Sequence, residues 1–308
     1  MRLLCHEVYG EPSVAALVDG VVVDLNACLA RSGGGAGGMS RRLRDVGDVF
    51  RLASLLDRLG GTGGDGAPGA RHLVERLLQT PGDALGPDEI TVLTPVITPG
   101  KVIGVGLNFH SYVAQIGVAE PKYPVLFHKT ASALLPSGRP VVIPDSTQQA
   151  VVEGEVAVVI GRRARAVPVD VALDYVGGFA CANDISARNL EFQTSQLTPG
   201  KMIESFCPLG PELVTPDEIE SIDELEIRTR INGSQVQQGR LGGQIFSISR
   251  LISHISQLVA LEIGDVILTG TPNDLGHGDH PTYLRDGDVV SVSIEGVGRL
   301  ENPVTAAG

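Results

Sequence analysis

Two acids one residue apart, Glu153 and Glu155, sit in an otherwise apolar run, Val151-Val152-Glu153-Gly154-Glu155-Val156-Ala157-Val158-Val159-Ile160. Read as a strand, the run sends Glu153, Glu155, Ala157 and Val159 to one side and Val152, Gly154, Val156 and Val158 to the other. Both faces are then largely apolar, as for a strand buried on both sides. Two carboxylates one pleat apart in such surroundings repel each other and resist desolvation. A bound cation relieves both problems, and hard divalent ions such as Mg²⁺ take oxygen ligands. The competing reading is an edge strand whose acids simply reach water.

Further on, Asp184 ends the apolar stretch Val176-Gly177-Gly178-Phe179-Ala180-Cys181-Ala182-Asn183. It is placed to complete a three-carboxylate site, although an Asp before Ile-Ser-Ala-Arg is also a good helix N-cap. Lys201 lies in a Pro/Gly turn, where a lone lysine is ordinarily a solvated surface residue. The segment Gly264-Asp265-Val266-Ile267-Leu268-Thr269-Gly270-Thr271-Pro272 sets two hydroxyls and a glycine backbone just past a buried strand. That arrangement suits a substrate carboxylate, and it also suits a plain β-turn. His277, Asp279 and His280 form a second polar cluster, which between glycines and a proline reads as a loop rather than a metal site.

These residues must be positioned by a chain of 308 residues, enough for one large domain and a smaller one. A net charge of −12 argues against nucleic acid and anionic membrane as partners. No apolar run reaches the roughly 20 residues that span a bilayer. The start, Met-Arg-Leu-Leu-Cys-His-Glu, lacks the pattern of a signal peptide, and the four scattered cysteines fit reduced thiols. A cytoplasmic protein is therefore expected. Asp19-Gly20 between Ala15–Val18 and Val21–Leu25 predicts a hairpin. Two glycine-rich patches, residues 33–38 and 60–64, read as surface loops flanking a helix through Val49, Leu52, Leu55, Leu56 and Leu59. A second helix is predicted over Ala70–Gln79, and the Pro-containing stretch 93–100 reads as a linker.

Beyond Lys101 short strands dominate, at 102–106, 140–143, 151–160, 175–183, 225–232, 265–269 and 288–294. One helix is predicted at Arg250–Leu261, and another starting at Arg188. Without regular strand–helix alternation, a doubly wound sheet or β/α barrel is disfavoured. The fold class expected is α+β, with a β-rich roll as the main domain.

From Lys101 to the C-terminus the order of segments resembles the fumarylacetoacetate hydrolase family. The resemblance rests on Val105-Gly106-Leu107-Asn108-Phe109, Pro124-Val125-Leu126-Phe127-His128-Lys129 and Glu153-Gly154-Glu155. It continues through Ala182-Asn183-Asp184-Ile185-Ser186-Ala187-Arg188, Gly200-Lys201, Phe206 to Pro211, Gly264 to Pro272, Tyr283 to Asp288 and Ile294 to Gly298. It implies a mixed β-roll catalytic domain over residues 101–308 and a small variable α/β domain over 1–95. It also implies a homodimer and one Mg²⁺ or Mn²⁺ held by Glu153, Glu155 and Asp184. Lys201 falls on the active-site lysine, and Thr271, with Gly270 and Arg188, among the substrate-contacting residues. The substrate implied is a small 1,3-dicarbonyl or 2-oxo acid, attacked through an enolate that the cation stabilises. Hydrolysis of a C–C bond, as in acylpyruvates, is the family default; tautomerisation and decarboxylation also occur.

Two departures bear on the chemistry. Members that hydrolyse or decarboxylate commonly follow the Gly-Leu-Asn-aromatic block with a His and, three residues later, a Glu on a lid helix. Here those positions are Tyr112 and Gln115, and His110 lies about 200° away around a regular helix. Tyr112 is the expected proton-handling residue, with His110 its rival should the lid be irregular. Arg240-Leu241-Gly242-Gly243-Gln244 stands where many members carry Asn-Thr-x-Asp-Met. Retained acids and lysine without the water-handling pair favour tautomerisation or decarboxylation. A non-catalytic binding protein is the alternative of another class.

Overall fold

The strand that carries Glu155 runs from Gly154 to Ile160 and is buried along its whole length. In the computed structural model, which describes residues 1–31, 42–59, 66–80, 82–86 and 90–307, it lies inside a twelve-stranded sheet. Its neighbours are Val176–Asn183, antiparallel, and Val266–Leu268, also antiparallel. Alternation divides its side chains between two cores. Ala157 and Val159 join Phe50, Ala180 and Leu209 on one face, whereas Val156, Val158 and Ile160 join Ile227, Leu251 and Val292 on the other. The predicted burial on both faces is what the sheet provides. The architecture is α+β and sheet-rich, as expected.

A second sheet of five strands, ordered Ser234–Arg240, Glu226–Ile231, Val289–Ile294, Gly298–Ala306 and Val141–Ile143, packs beneath the acids. Contact there is close enough to dictate a residue. A Cβ built on Gly154 would lie 2.0 Å from the hydroxyl oxygen of Thr229. Glycine between the two glutamates is thus a packing requirement of the sheet-to-sheet contact. The predicted strand over 151–160 is interrupted just before it. Ala150–Val151 pairs separately with Ser186–Ala187, and Glu153 leaves the ladder because its amide donates to the Asn183 side chain at 3.0 Å.

The N-terminal segment begins with three antiparallel strands, Arg2–Val8, Glu11–Val18 and Val21–Asp24. Asp19 and Gly20 both take positive φ, the conformation a two-residue hairpin turn requires. Helices follow at Val46–Arg58 and Gly66–Leu78, the first capped by the Asp45 carboxylate on the Asp48 amide. The glycine-rich patches at 33–38 and 60–64 lie outside the described residues. The boundary expected near residues 95–101 is not a break in the packing. Arg2–Val8 pairs with Cys207–Val214, so the sheet crosses it. Nor is 93–100 a free linker: Thr91–Leu93 pairs with Arg2–Val8, Val96 is fully buried, and the Cys5 thiol donates to the Pro95 carbonyl. All four cysteines are buried and unpaired. Among the described residues no helix is long and apolar enough to cross a membrane.

Candidate metal centre and active-site cavity

Asp184 follows directly on the strand Val176–Asn183, which is the antiparallel partner of the Glu155 strand. Its amide donates to the Glu153 carbonyl at 2.8 Å, which brings the third acid beside the first two. One carboxylate oxygen from each of Glu153, Glu155 and Asp184 lies within 4.8 Å of the others, and all three residues are buried. The N-cap alternative for Asp184 fails, because the next helix is the single turn Arg188–Glu191 and begins after Ala187. That turn is also shorter than the helix expected there.

Cations are interleaved with these acids. The Lys201 ammonium, from the short helix Thr198–Lys201, lies 2.7 Å from Glu153 Oε2 and 2.8 Å from Asp184 Oδ2. It also sits over the Phe127 ring, 4.7 Å from its centroid. The turn that reads as surface in the sequence is therefore folded inward. Lys129 Nζ takes the other Asp184 oxygen at 2.6 Å, with its side chain fully buried. Arg188 donates to Glu153 Oε1 and Asp274 Oδ1, both at 2.7 Å, and also to Glu191. Burial opposes ionisation of Glu153, yet Lys201 and Arg188 outweigh it and hold the pKa near 2. Burial likewise opposes the charge on Lys201, but Asp184, Glu153 and Glu191 push its pKa above the ordinary lysine value. Glu155 is different. Burial first, then the charges of Asp184 and Glu153, raise its pKa well above the carboxylate range, and the Gly270 amide at 2.7 Å only partly offsets them.

That frustration is what a further cation would relieve. Five carboxylates (Glu153, Glu155, Asp184, Glu191, Asp274) face three basic side chains (Lys129, Arg188, Lys201). The deficit of two positive charges is that of one divalent ion, and the three clustered acids are an all-oxygen donor set. The residues present fit such an ion.

Above the acids opens a cavity of about 690 Å³, lined by Glu153, Glu155, Arg188, Lys201, Thr271 and Tyr112 among others. The lid is a regular helix, His110–Ile116. His110 accordingly points away: it is exposed and lies 2.5 Å from Glu120, so it is not brought to the site. Tyr112 faces the cavity, its hydroxyl 3.3 Å from Asp274 Oδ2. Burial, then the charge of Glu153, raises the phenol's pKa above its ordinary value. Gln115 spends both ends of its amide on the Asp274 main chain, and Ser111 donates to the Pro272 carbonyl. The lid is thereby tied to the loop after the Thr-Gly-Thr-Pro turn.

Of the residues expected at the substrate's carboxylate end, Thr271 lies on the cavity wall and accepts from Gln237. Gly270 instead directs its amide to Glu155. Its φ of +98° and the Asn108 Cβ at 2.9 Å from where a side chain would begin explain the glycine. Arg188 lines the cavity, with its hydrogen bonds directed to protein carboxylates. His277 is an exposed cavity residue, and the histidine cluster forms no ion site with an acid or cysteine among the described residues.

Lys129 and Asp274 carry much of this network and were not singled out from the sequence. Lys129 had a signal: in Val125–Lys129 it shares a face with the buried Phe127, where a lysine needs a partner. Asp274 follows an irregular turn and has none.

The fumarylacetoacetate hydrolase C-terminal family model matches residues 101–305. The chain is 37% identical over 240 residues to the mitochondrial oxaloacetate tautomerase fahd2 of Xenopus laevis, covering 75% of each protein. Its fold matches the fumarylacetoacetate hydrolase of Exiguobacterium antarcticum with a TM-score of 0.79 at 28% identity, over the full length of both. It matches the 5-carboxymethyl-2-hydroxymuconate delta-isomerase of Mycobacterium smegmatis at 0.73 and 27% identity, again over both chains entirely. The family model spans well over half of the chain and the relatives match at this level over three quarters of it: the chain belongs to the fumarylacetoacetate hydrolase family.

Proposed function

We propose that this chain is a divalent-cation-dependent enzyme, with Mg²⁺ or Mn²⁺ in the acid cluster, that interconverts the enol and keto forms of a 2-oxo or 1,3-dicarbonyl acid. The observation that carries the reading is one constellation: three clustered carboxylates, a lysine paired with two of them, and a lid tyrosine facing the same cavity. Similarity to an oxaloacetate tautomerase supports proton relocation as the reaction. When bound, a cation held by Glu153, Glu155 and Asp184 would supply Lewis-acid stabilisation of the enolate. Lys201 holds a second positive charge beside the oxygen on which negative charge develops, and its two ion pairs fix it there. Tyr112 keeps its proton in the resting site and in this reading donates it to the enolate carbon, with Asp274 orienting the hydroxyl; the enol oxygen's proton leaves to solvent, from which the phenolate is reprotonated. No water is consumed and no carbon–carbon bond breaks, so the step does not need the absent His/Glu pair.

Hydrolysis of an acylpyruvate is the second reading, supported by the likeness to a fumarylacetoacetate hydrolase; decarboxylation is a third. We also propose a homodimer, on the resemblance alone, and a cytoplasmic location, on the four free cysteines. The test is to follow enol absorbance and products by NMR, with Mg²⁺, for oxaloacetate and an acylpyruvate. Faster loss of enol with an intact carbon skeleton supports tautomerisation. Pyruvate with carbon dioxide, or with a carboxylic acid, replaces it by decarboxylation or hydrolysis. Metal-dependent binding without turnover of either compound makes the chain a binding protein.

A further inference from the structure

The cavity's buried lining carries the charged groups, and its more exposed wall is largely apolar, interrupted by Ser195 and His277. That wall includes Leu107, Ile116, Val118, Val125, Phe192 and Leu197. Two of these are large apolar side chains left largely in water, Val118 at 45% and Phe192 at 68% exposure. Val118 follows the lid helix and Phe192 follows the turn that carries Glu191, so separate elements both present apolar surface at the cavity. Leu107 adds a costlier feature. It takes a φ of +53°, a left-handed conformation unfavourable to a bulky residue. Asn108 pins that turn through hydrogen bonds to Phe246 and to the Thr269 carbonyl. The strain sets a leucine on the cavity wall.

Among the described lining residues, the lysine and arginine side chains are Arg188 and Lys201, and both already pair with protein carboxylates. The divalent cation fitted above closes the local charge count, so a first substrate carboxylate already makes the site anionic. A second carboxylate at the more exposed wall would meet no spare lysine or arginine and would lose water to apolar side chains. We infer that the substrate is a 2-oxo acid whose far substituent is apolar, alkyl or aryl, rather than one that carries a second carboxylate. This inference rests on the oxo-acid reading and names the substrate class within it.

Calorimetry on the Mg²⁺-loaded protein at pH 8 provides the test. The probes are 2-oxohexanoate and phenylpyruvate, with apolar tails, and 2-oxoglutarate, of similar length but dicarboxylate. The two apolar ligands are expected to bind at least about tenfold more tightly than 2-oxoglutarate. Phe192→Arg, a change at an exposed position, should tighten 2-oxoglutarate and weaken 2-oxohexanoate. Leu107→Gly should weaken both apolar ligands without lowering the melting temperature. If 2-oxoglutarate binds as well as 2-oxohexanoate, the inference is overturned and the oxo-acid reading stands. If none of the three binds, both fall. An unchanged ligand ratio in Phe192→Arg removes Phe192 from the wall that meets the tail.

Discussion

Replacing Lys129 by methionine isolates the electrostatics of the acid cluster, because the stem is kept and only the charge goes. The ammonium lies 2.6 Å from Asp184 Oδ1 and 3.1 Å from the Ile185 carbonyl, with no exposed side-chain surface, so solvent screening does not discount the pair. Breaking a buried pair from one side costs about 3–5 kcal/mol, since the remaining charge stays buried. Asp184 retains Lys201 on its other oxygen, which argues for the lower end, about 3 kcal/mol. Urea unfolding followed by circular dichroism is the suitable assay, as the chain has no tryptophan to report by fluorescence. The measurement should be made with chelator and again with excess Mg²⁺. Without Lys129 the cluster is more negative and should bind the cation more tightly. By linkage the loss should then shrink in Mg²⁺. A chelated variant within about 0.5 kcal/mol of wild type would refute the reasoning, that being the scatter of ordinary surface substitutions. So would a loss that Mg²⁺ leaves unchanged.

Tyr112→Phe should lower kcat on the order of 10²-fold or more while leaving Mg²⁺ affinity intact, and His110→Ala should change neither; turnover and calorimetry on the two variants decide it. Gly154→Ala should cost about 1–3 kcal/mol in urea, because the new Cβ collides with Thr229, and should weaken Mg²⁺ binding by displacing the flanking acids. Asp24→Asn should destabilise at neutral pH. Burial opposes the Asp24 charge, but the His6 imidazole 2.9 Å away, the Ser13 hydroxyl and the Ala27 amide hold its pKa below the ordinary carboxylate value. A depressed carboxylate stabilises above its unfolded pKa and loses that contribution as pH falls through the folded one. The gap between wild type and variant, read from unfolding curves, should therefore narrow below about pH 4.

Glu153 and Glu155 were legible because their surroundings are so regular: two carboxylates one pleat apart amid valines and alanines stand out, whereas Asp184 also read as an N-cap and joined them through the family resemblance. The strand ladder around them was legible for the same reason. Lys201 was recoverable only through the family resemblance, since a Pro/Gly turn gives no hint that it folds inward. Tyr112 and His110 were separable in principle by helix geometry alone, and the regular lid decided between them. Asp274 stayed hidden, as did the tether that Gln115 makes to its main chain, because both belong to an irregular loop where side-chain type carries no period. The pairing of Arg2–Val8 with Cys207–Val214 was hidden for another reason: register between distant strands leaves no mark in either segment.

That pairing has a consequence for the order in which the molecule assembles. Thr91–Leu93 covers Cys5–Glu7, but Arg2–Leu4 faces Glu212–Val214, so that half of the strand's edge stays unpaired until residues 212–214 have been made. Until then the N-terminal hairpin presents a partly open edge, and closing so long a loop is slow. Once Cys207–Val214 arrives, it joins that hairpin to the Val176–Asn183 strand and the acids beyond it. Docking of the first strand should be a late event in folding, and refolding with the first eight residues removed should leave the Cys207–Val214 edge open to association between copies.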